Sequence, residues 1–189
     1  MSLQCVVKNQ VRRRFRTGAS LLQLQGVDLM STLEETVGQL LTEQGLTIAV
    51  AESCTGGLIA HQLTNVSGSS TYFVGGVVAY SNQVKEQVLG VSDETLSVYG
   101  AVSEECAREM ARGARRLFDT DVAISSTGIA GPTGGTPQKP VGLVYVALAA
   151  QDIERCERHL WRGDRLENKR QTAEAALEML RRYLKARRP

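Results

Sequence analysis

Three short polar turns carry the side chains with the chemistry to attack an amide or ester. They are Glu52-Ser53-Cys54-Thr55-Gly56-Gly57, Tyr80-Ser81-Asn82-Gln83-Val84-Lys85 and Thr127-Gly128-Ile129-Ala130-Gly131-Pro132. Ser53 offers a hydroxyl nucleophile just before two glycines that permit close backbone approach. The amides opening the next helix can receive an anion or a developing oxyanion. The same serine also suits a helix cap, and the local sequence leaves both readings open. Lys85 falls three residues after Asn82, the expected cap of its helix. There the positive end of the helix dipole and burial would both disfavour the charged amine and produce a base; an exposed, charged lysine is the alternative. Tyr80 is placed to orient a ligand or bond the lysine, or else to pack at a strand end.

Other chemistries have weaker support. Cys54 with His61 offers a thiolate and an imidazole for acyl transfer, against a small buried cysteine and an unrelated surface histidine. The G-x-S-x-G elbow of ordinary α/β-hydrolases is absent, and the glycine-rich loop from Thr127 has neither Walker lysine spacing nor a G-x-G-x-x-G fingerprint. Four cysteines at positions 5, 54, 106 and 156 form no C-x-x-C pair, and the two histidines, His61 and His159, stand apart. No metal and no cofactor is expected from this pattern, and reduced thiols in a cytoplasmic setting are its simplest reading.

The turns need a scaffold that brings them together. Thr47 to Ala51, Tyr72 to Tyr80, Val122 to Ser126 and Val141 to Ala149 read as strands, with Arg155 to Trp161 as an added edge strand. Gly75 and Gly76 suggest a bulge or a close approach. Ser31 or Thr32 opens a helix through a capping box with Glu34 or Glu35 and Gly45 ends it. Leu58 to Leu63 is another, and a short helical piece starts at Ser92 or Asp93. Ser103 starts the clearest amphipathic helix, whose Ala107, Met110, Ala111, Ala114, Leu117 and Phe118 share a face. Asp164 caps the last helix. Strands interspersed with helices predict a layered α/β domain with a mixed sheet, because no helix separates Val122 to Ser126 from Val141 to Ala149. If the strands before the three turns are parallel, the turns meet at the carboxyl edge of the sheet.

The 189 residues suit one globular domain, spanning 31–189, with 42% hydrophobic and 22% charged side chains. No apolar run is long enough for a membrane helix. Of the net charge of +2, residues 1–30 contribute +4 and the rest −2, so residues 1–30 read as a flexible basic extension and the body does not suggest a nucleic-acid surface. Arg181, Arg182, Lys185, Arg187 and Arg188 lie near a helix carboxyl end, where they oppose its dipole.

Taken together, A-E-S-C-T-G-G at 51–57, G-G-V-V-A-Y-S-N-Q-V-K at 75–85, G-A-V-S at 100–103, T-G-I-A-G-P at 127–132, K-P-V-G at 139–142 and G-D-R at 163–165 resemble the CinA carboxy-terminal domain family. The match runs in order from about Ser31 to Leu184. The resemblance implies a three-layer α/β/α sandwich with a mixed, largely parallel sheet, commonly a homo-oligomer. Its implied activity is hydrolytic deamidation of nicotinamide mononucleotide in pyridine nucleotide recycling; the alternative is a non-catalytic nucleotide-sensing or interaction module of the same fold. It further implies Ser53 as nucleophile, Lys85 as general base and Tyr80 in support. Thr55, Gly56, Gly57 and Thr127, Gly128, Ile129, Ala130 and Gly131 become substrate-binding positions. Arg165 and Arg170 are implied phosphate contacts, and Lys169 stands where the family pattern resembles an arginine.

Overall fold

The computed structural model describes residues 31–187, so the extension expected at residues 1–30 lies outside the described residues, as does Arg188. Helix α1 (Leu33–Gln44) starts on Thr32, whose hydroxyl accepts from the Glu35 N–H while the Glu35 carboxylate accepts from the Thr32 N–H. Of the two capping boxes open in the sequence, this is the one formed. Gly45 ends the helix in a left-handed conformation that costs glycine little. Strand β1 (Ile48–Glu52) follows, then α2 (Leu58–Thr64), β2 (Phe73–Val78), α3 (Asn82–Leu89), α4 (Glu104–Phe118), β3 (Val122–Gly128), β4 (Leu143–Ala150), β5 (Glu154–Leu160) and α5 (Arg165–Ala186).

The five strands form one mixed sheet in the order β2-β1-β3-β4-β5. β1 pairs parallel with β2 and β3, whereas β3–β4 and β4–β5 are antiparallel, so β4 alone runs against the other strands. Opposite Ile48 and Ala49, β2 presents Phe73 and then Gly75, which makes Val74 the extra residue of a bulge. The neighbouring glycines are used for close approach: a Cβ on Gly76 would fall 2.5 Å from Val50, and one on Gly75 2.7 Å from Phe118.

Alternation along β1 divides the core into two. Ile48 and Val50 point with Ile124, Val146 and Leu148 into a large aliphatic layer under α1, α2 and α5. Ala49, Ala51 and Ala123 face the other way, toward Leu89, Met110 and Ala114 of α3 and α4. Ala147 and Ala149 extend that small-residue floor to Ala107 and Ala111 of α4. Helices thus cover both faces, giving the α/β/α sandwich. On α4 the apolar stripe is narrower than its periodicity predicts. Ala107, Met110, Ala111 and Ala114 are buried and Phe118 packs partly, but Leu117 lies off that stripe and is about half exposed.

Candidate active site

Because β1, β2 and β3 are parallel, Glu52, Val78 and Gly128 lie at the same edge of the sheet, and the three polar turns converge there. Backbone bonds lock the first turn to its neighbours: the Ala79 N–H donates to the Glu52 carbonyl at 2.7 Å and the Ser53 N–H to the Ser126 carbonyl at 2.9 Å. α3 then sends Lys85 back under the turn. Its cap is Ser81 rather than the expected Asn82: Ser81 has extended backbone and its hydroxyl accepts from the Val84 N–H. That shift leaves Asn82 on the wall of the cavity and puts Lys85 a full turn into the helix.

Lys85 is 2% exposed, with Nζ 3.1 Å from Ser53 Oγ and 2.8 Å from the Ala79 carbonyl oxygen, to which it donates. No carboxylate forms a salt bridge with it among the described residues. Burial therefore dominates, and holds the amine below the usual lysine range. Ser53, Cys54, Tyr80 and Lys85 all line a cavity of about 360 Å³, together with residues of the Thr127–Gly131 loop, Thr133, Gly134 and Arg165. Ala101 and Val102 complete its wall; the Ala101 carbonyl accepts from the Thr127 hydroxyl at 2.6 Å.

The remaining expected site residues divide into those at the cavity and those beside it. Tyr80 is 63% exposed, and its hydroxyl accepts from Arg165, whose other terminal nitrogen donates to the Gly131 carbonyl at 2.7 Å. Arg165 thus bridges two of the three turns. Thr127, Gly128, Ile129, Ala130 and Gly131 line the cavity. Thr55 does not: it is fully buried, its hydroxyl 2.6 Å from that of Ser126. Gly56 and Gly57 shape the turn with left-handed backbone. Lys169 stands beside this turn, with Nζ 3.4 Å from where a Gly56 Cβ would sit. Arg170 pairs with Glu167 on the exposed face of α5 and is not among the cavity residues.

One residue's part was not anticipated. Glu52, 1% exposed, folds its carboxylate back over its own turn. It accepts from the N–H groups of Gly57 at 2.9 Å, Ile59 at 3.1 Å and Ala60 at 2.8 Å. The expectation that the opening amides of α2 receive a ligand is therefore corrected for Ile59 and Ala60, which the Glu52 carboxylate already occupies. Asn168, also buried, ties the Ala130 carbonyl and the Gly163 N–H together at the other side of the cavity.

The thiol alternative loses its physical basis. Burial, the largest influence on Cys54, pushes its thiol up to about 12 and keeps it protonated. The exposed His61 ring instead meets Asn65 at 3.1 Å. His159 stacks on Trp161 with ring centroids 4.7 Å apart. No group of three or more His, Cys, Asp or Glu residues placed to hold a metal ion occurs among the described residues.

Comparison with known proteins yields one family throughout. The model of the CinA C-terminal domain matches residues 30–184. A CinA-like protein of Syntrophus aciditrophicus is 55% identical over 82% of this chain, and one of Thermotoga neapolitana 49% identical over 82%. The chain spans 37% and 38% of the lengths of these relatives. Among solved structures, competence/damage inducible protein CihA from Agrobacterium tumefaciens is 42% identical with TM-score 0.77, covering 81% of this chain and 95% of its own. Competence damage-inducible protein A (ComA) from Klebsiella pneumoniae subsp. pneumoniae MGH 78578 is 35% identical with TM-score 0.80, covering 82% of this chain and 97% of its own.

Proposed function

Because this chain belongs to the CinA C-terminal domain family, we propose that it hydrolyses the carboxamide of nicotinamide mononucleotide to nicotinic acid mononucleotide and ammonia. The observation that carries the hydrolytic part is the buried Ser53–Lys85 pair, 3.1 Å apart on the wall of a cavity large enough for a small nucleotide. The cavity wall contains Lys85 and Arg165 and no carboxylate, a balance that suits an anionic ligand. The pyridine amide follows from the family resemblance carried by the ordered motifs.

In this reading Ser53 Oγ attacks the carboxamide carbon as its proton passes to neutral Lys85 Nζ, and the carbonyl oxygen becomes an oxyanion. Its donor is the N–H of Cys54, the residue after Ser53 that also lines the cavity and is not among the amides held by Glu52. The C–N bond then breaks, and the nitrogen leaves as ammonia with the proton from Lys85. Water, giving a proton to the same amine, adds to the Ser53 ester; the bond from the acyl carbon to Oγ then breaks, Oγ takes the proton back from Lys85, and the acid is released. Arg165, on the cavity wall, and Lys169, one turn further along α5 and beside Gly56, supply cations for the phosphate. Purified protein incubated with nicotinamide mononucleotide is expected to release ammonia and nicotinic acid mononucleotide in equal amounts. Tight binding without either product would favour the nucleotide-sensing module, and neither binding nor product would overturn the substrate.

A further inference from the structure

The Glu52 carboxylate has no role in the chemistry proposed above, yet it is the most completely bonded acid beside the site. Both oxygens are engaged: Oε2 accepts from Gly57 and Ile59, and Oε1 from Ala60. No salt bridge joins it to a cation among the described residues. A buried charge held only by backbone amides is costly to keep unless those amides are fixed in place. What it fixes is the turn between its own backbone and α2. The chain leaves β1 at Glu52, passes through Ser53 to Gly56, and returns so that the first turn of α2 docks on the side chain it has just left. The left-handed backbone at Gly56 and Gly57 permits that reversal.

The backbone of Glu52 belongs to the same arrangement. Its carbonyl accepts from the Ala79 N–H, and the Ala79 carbonyl accepts from Lys85 Nζ. The nucleophile's turn and the base's strand end are thus connected through one residue. Its backbone sets where the base sits, and its side chain sets where the loop carrying Ser53 closes.

We infer that Glu52 is a positioning residue: its carboxylate clamps the Ser53–Gly57 turn on the start of α2 and so keeps Ser53 Oγ within reach of Lys85 Nζ. The inference rests on the serine–lysine reading above. Glutamine is the sharp test, because it preserves size but replaces one accepting oxygen with an N–H2 group that opposes the amides it must face. Aspartate keeps the charge but, one methylene shorter, cannot span the same three donors.

With nicotinamide mononucleotide as substrate, E52Q is expected to lower kcat about 100-fold, the scale of a misplacement near 1 Å. KM should stay within about twofold, because Glu52 is not on the cavity wall. E52D is expected to recover part of kcat. A folded E52Q with parental kcat overturns the proposal, as does a kcat loss no greater than the loss of folded protein by circular dichroism. If E52Q does not fold, E52D decides, and a folded E52D with parental kcat overturns it. Should the parent release no ammonia, the substrate reading fails separately. The same variants are then compared by the rate at which a fluorophosphonate probe labels Ser53: slowing by a similar factor supports the clamp, and parental labelling rejects it.

Discussion

Lys85 Nζ touches two oxygens, one on the candidate nucleophile and one on the backbone, and its state of charge decides what it can do with them. As an ammonium it can only donate; as a neutral amine it can accept the Ser53 proton. Burial lowers its affinity for a proton, so the neutral form begins to populate below the pH at which an exposed lysine titrates. The expected kcat/KM therefore rises with pH and levels off below about 10.4, the ordinary lysine value. A rise centred at that value would contradict a buried base. Ser53→Ala is expected to abolish turnover, and Lys85→Met to cost two to four orders of magnitude. Cys54→Ala and His61→Ala should keep most activity, and a selective collapse of Cys54→Ala in ammonia release would restore the thiol mechanism. Ser53 and Lys85 were both legible as candidates from their place after strands. Their pairing is a tertiary fact, as 32 positions separate them. The place of Glu52 was not legible, because a glutamate at a strand end reads alike whether it meets solvent or folds back onto amides.

At the scale of elements, α4 lies close to its neighbours because alanines line both its inner face and the sheet beneath it. Its tightest crossing is at Gly113, where an added Cβ would fall 2.0 Å from the Leu89 carbonyl oxygen at the end of α3. Gly113→Ala sets two effects against each other. Helix propensity favours alanine by about 1 kcal/mol, whereas overpacking costs about 1–3 kcal/mol and more when the obstacle is backbone. Separation of α3 from α4 would also disturb the helix that carries Lys85. Net destabilisation is expected, read as a lower urea midpoint with an unchanged slope; an equal or higher midpoint would show that the crossing has room. Most elements were legible because hydrophobic period and glycine stops agree, as in α1 from Thr32 to Gly45. Caps were less so: Ser81 and Asn82 are both good capping residues, and only the extended backbone of Ser81 settles which one acts. The turn at Thr95–Tyr99 is π-helical, a geometry with no distinct side-chain period to betray it.

Across the whole molecule, the layers bury Cys54 and Cys106 and partly bury Cys156, and this couples stability to alkaline pH. Burial is the largest influence on each, pushing Cys54 and Cys156 up to about 12 and Cys106 to about 11. In the unfolded chain these thiols titrate near 8.5. Above that pH the folded state holds protons that the unfolded state has released, so stability falls as pH rises. Lys85 acts in the opposite sense, because its folded form releases a proton more readily than an unfolded lysine does, and it adds stability with rising pH until the unfolded lysine titrates. Three raised thiols outnumber the one lowered amine, so at about pH 10 the folded state holds more protons than the unfolded state and stability falls with rising pH. The raised hydroxyls of Tyr72 and Tyr183 add to the fall from about pH 10, where unfolded tyrosines titrate. Urea midpoints measured from about pH 8 to about pH 10.5 under a phosphine reductant are expected to fall continuously. Replacing Cys54, Cys106 and Cys156 together by alanine should flatten that fall, because Lys85 and the two tyrosines then act in opposite senses. A parental midpoint that stays level over the range would mean that the thiols ionise in the folded protein, and that the sandwich admits water to them.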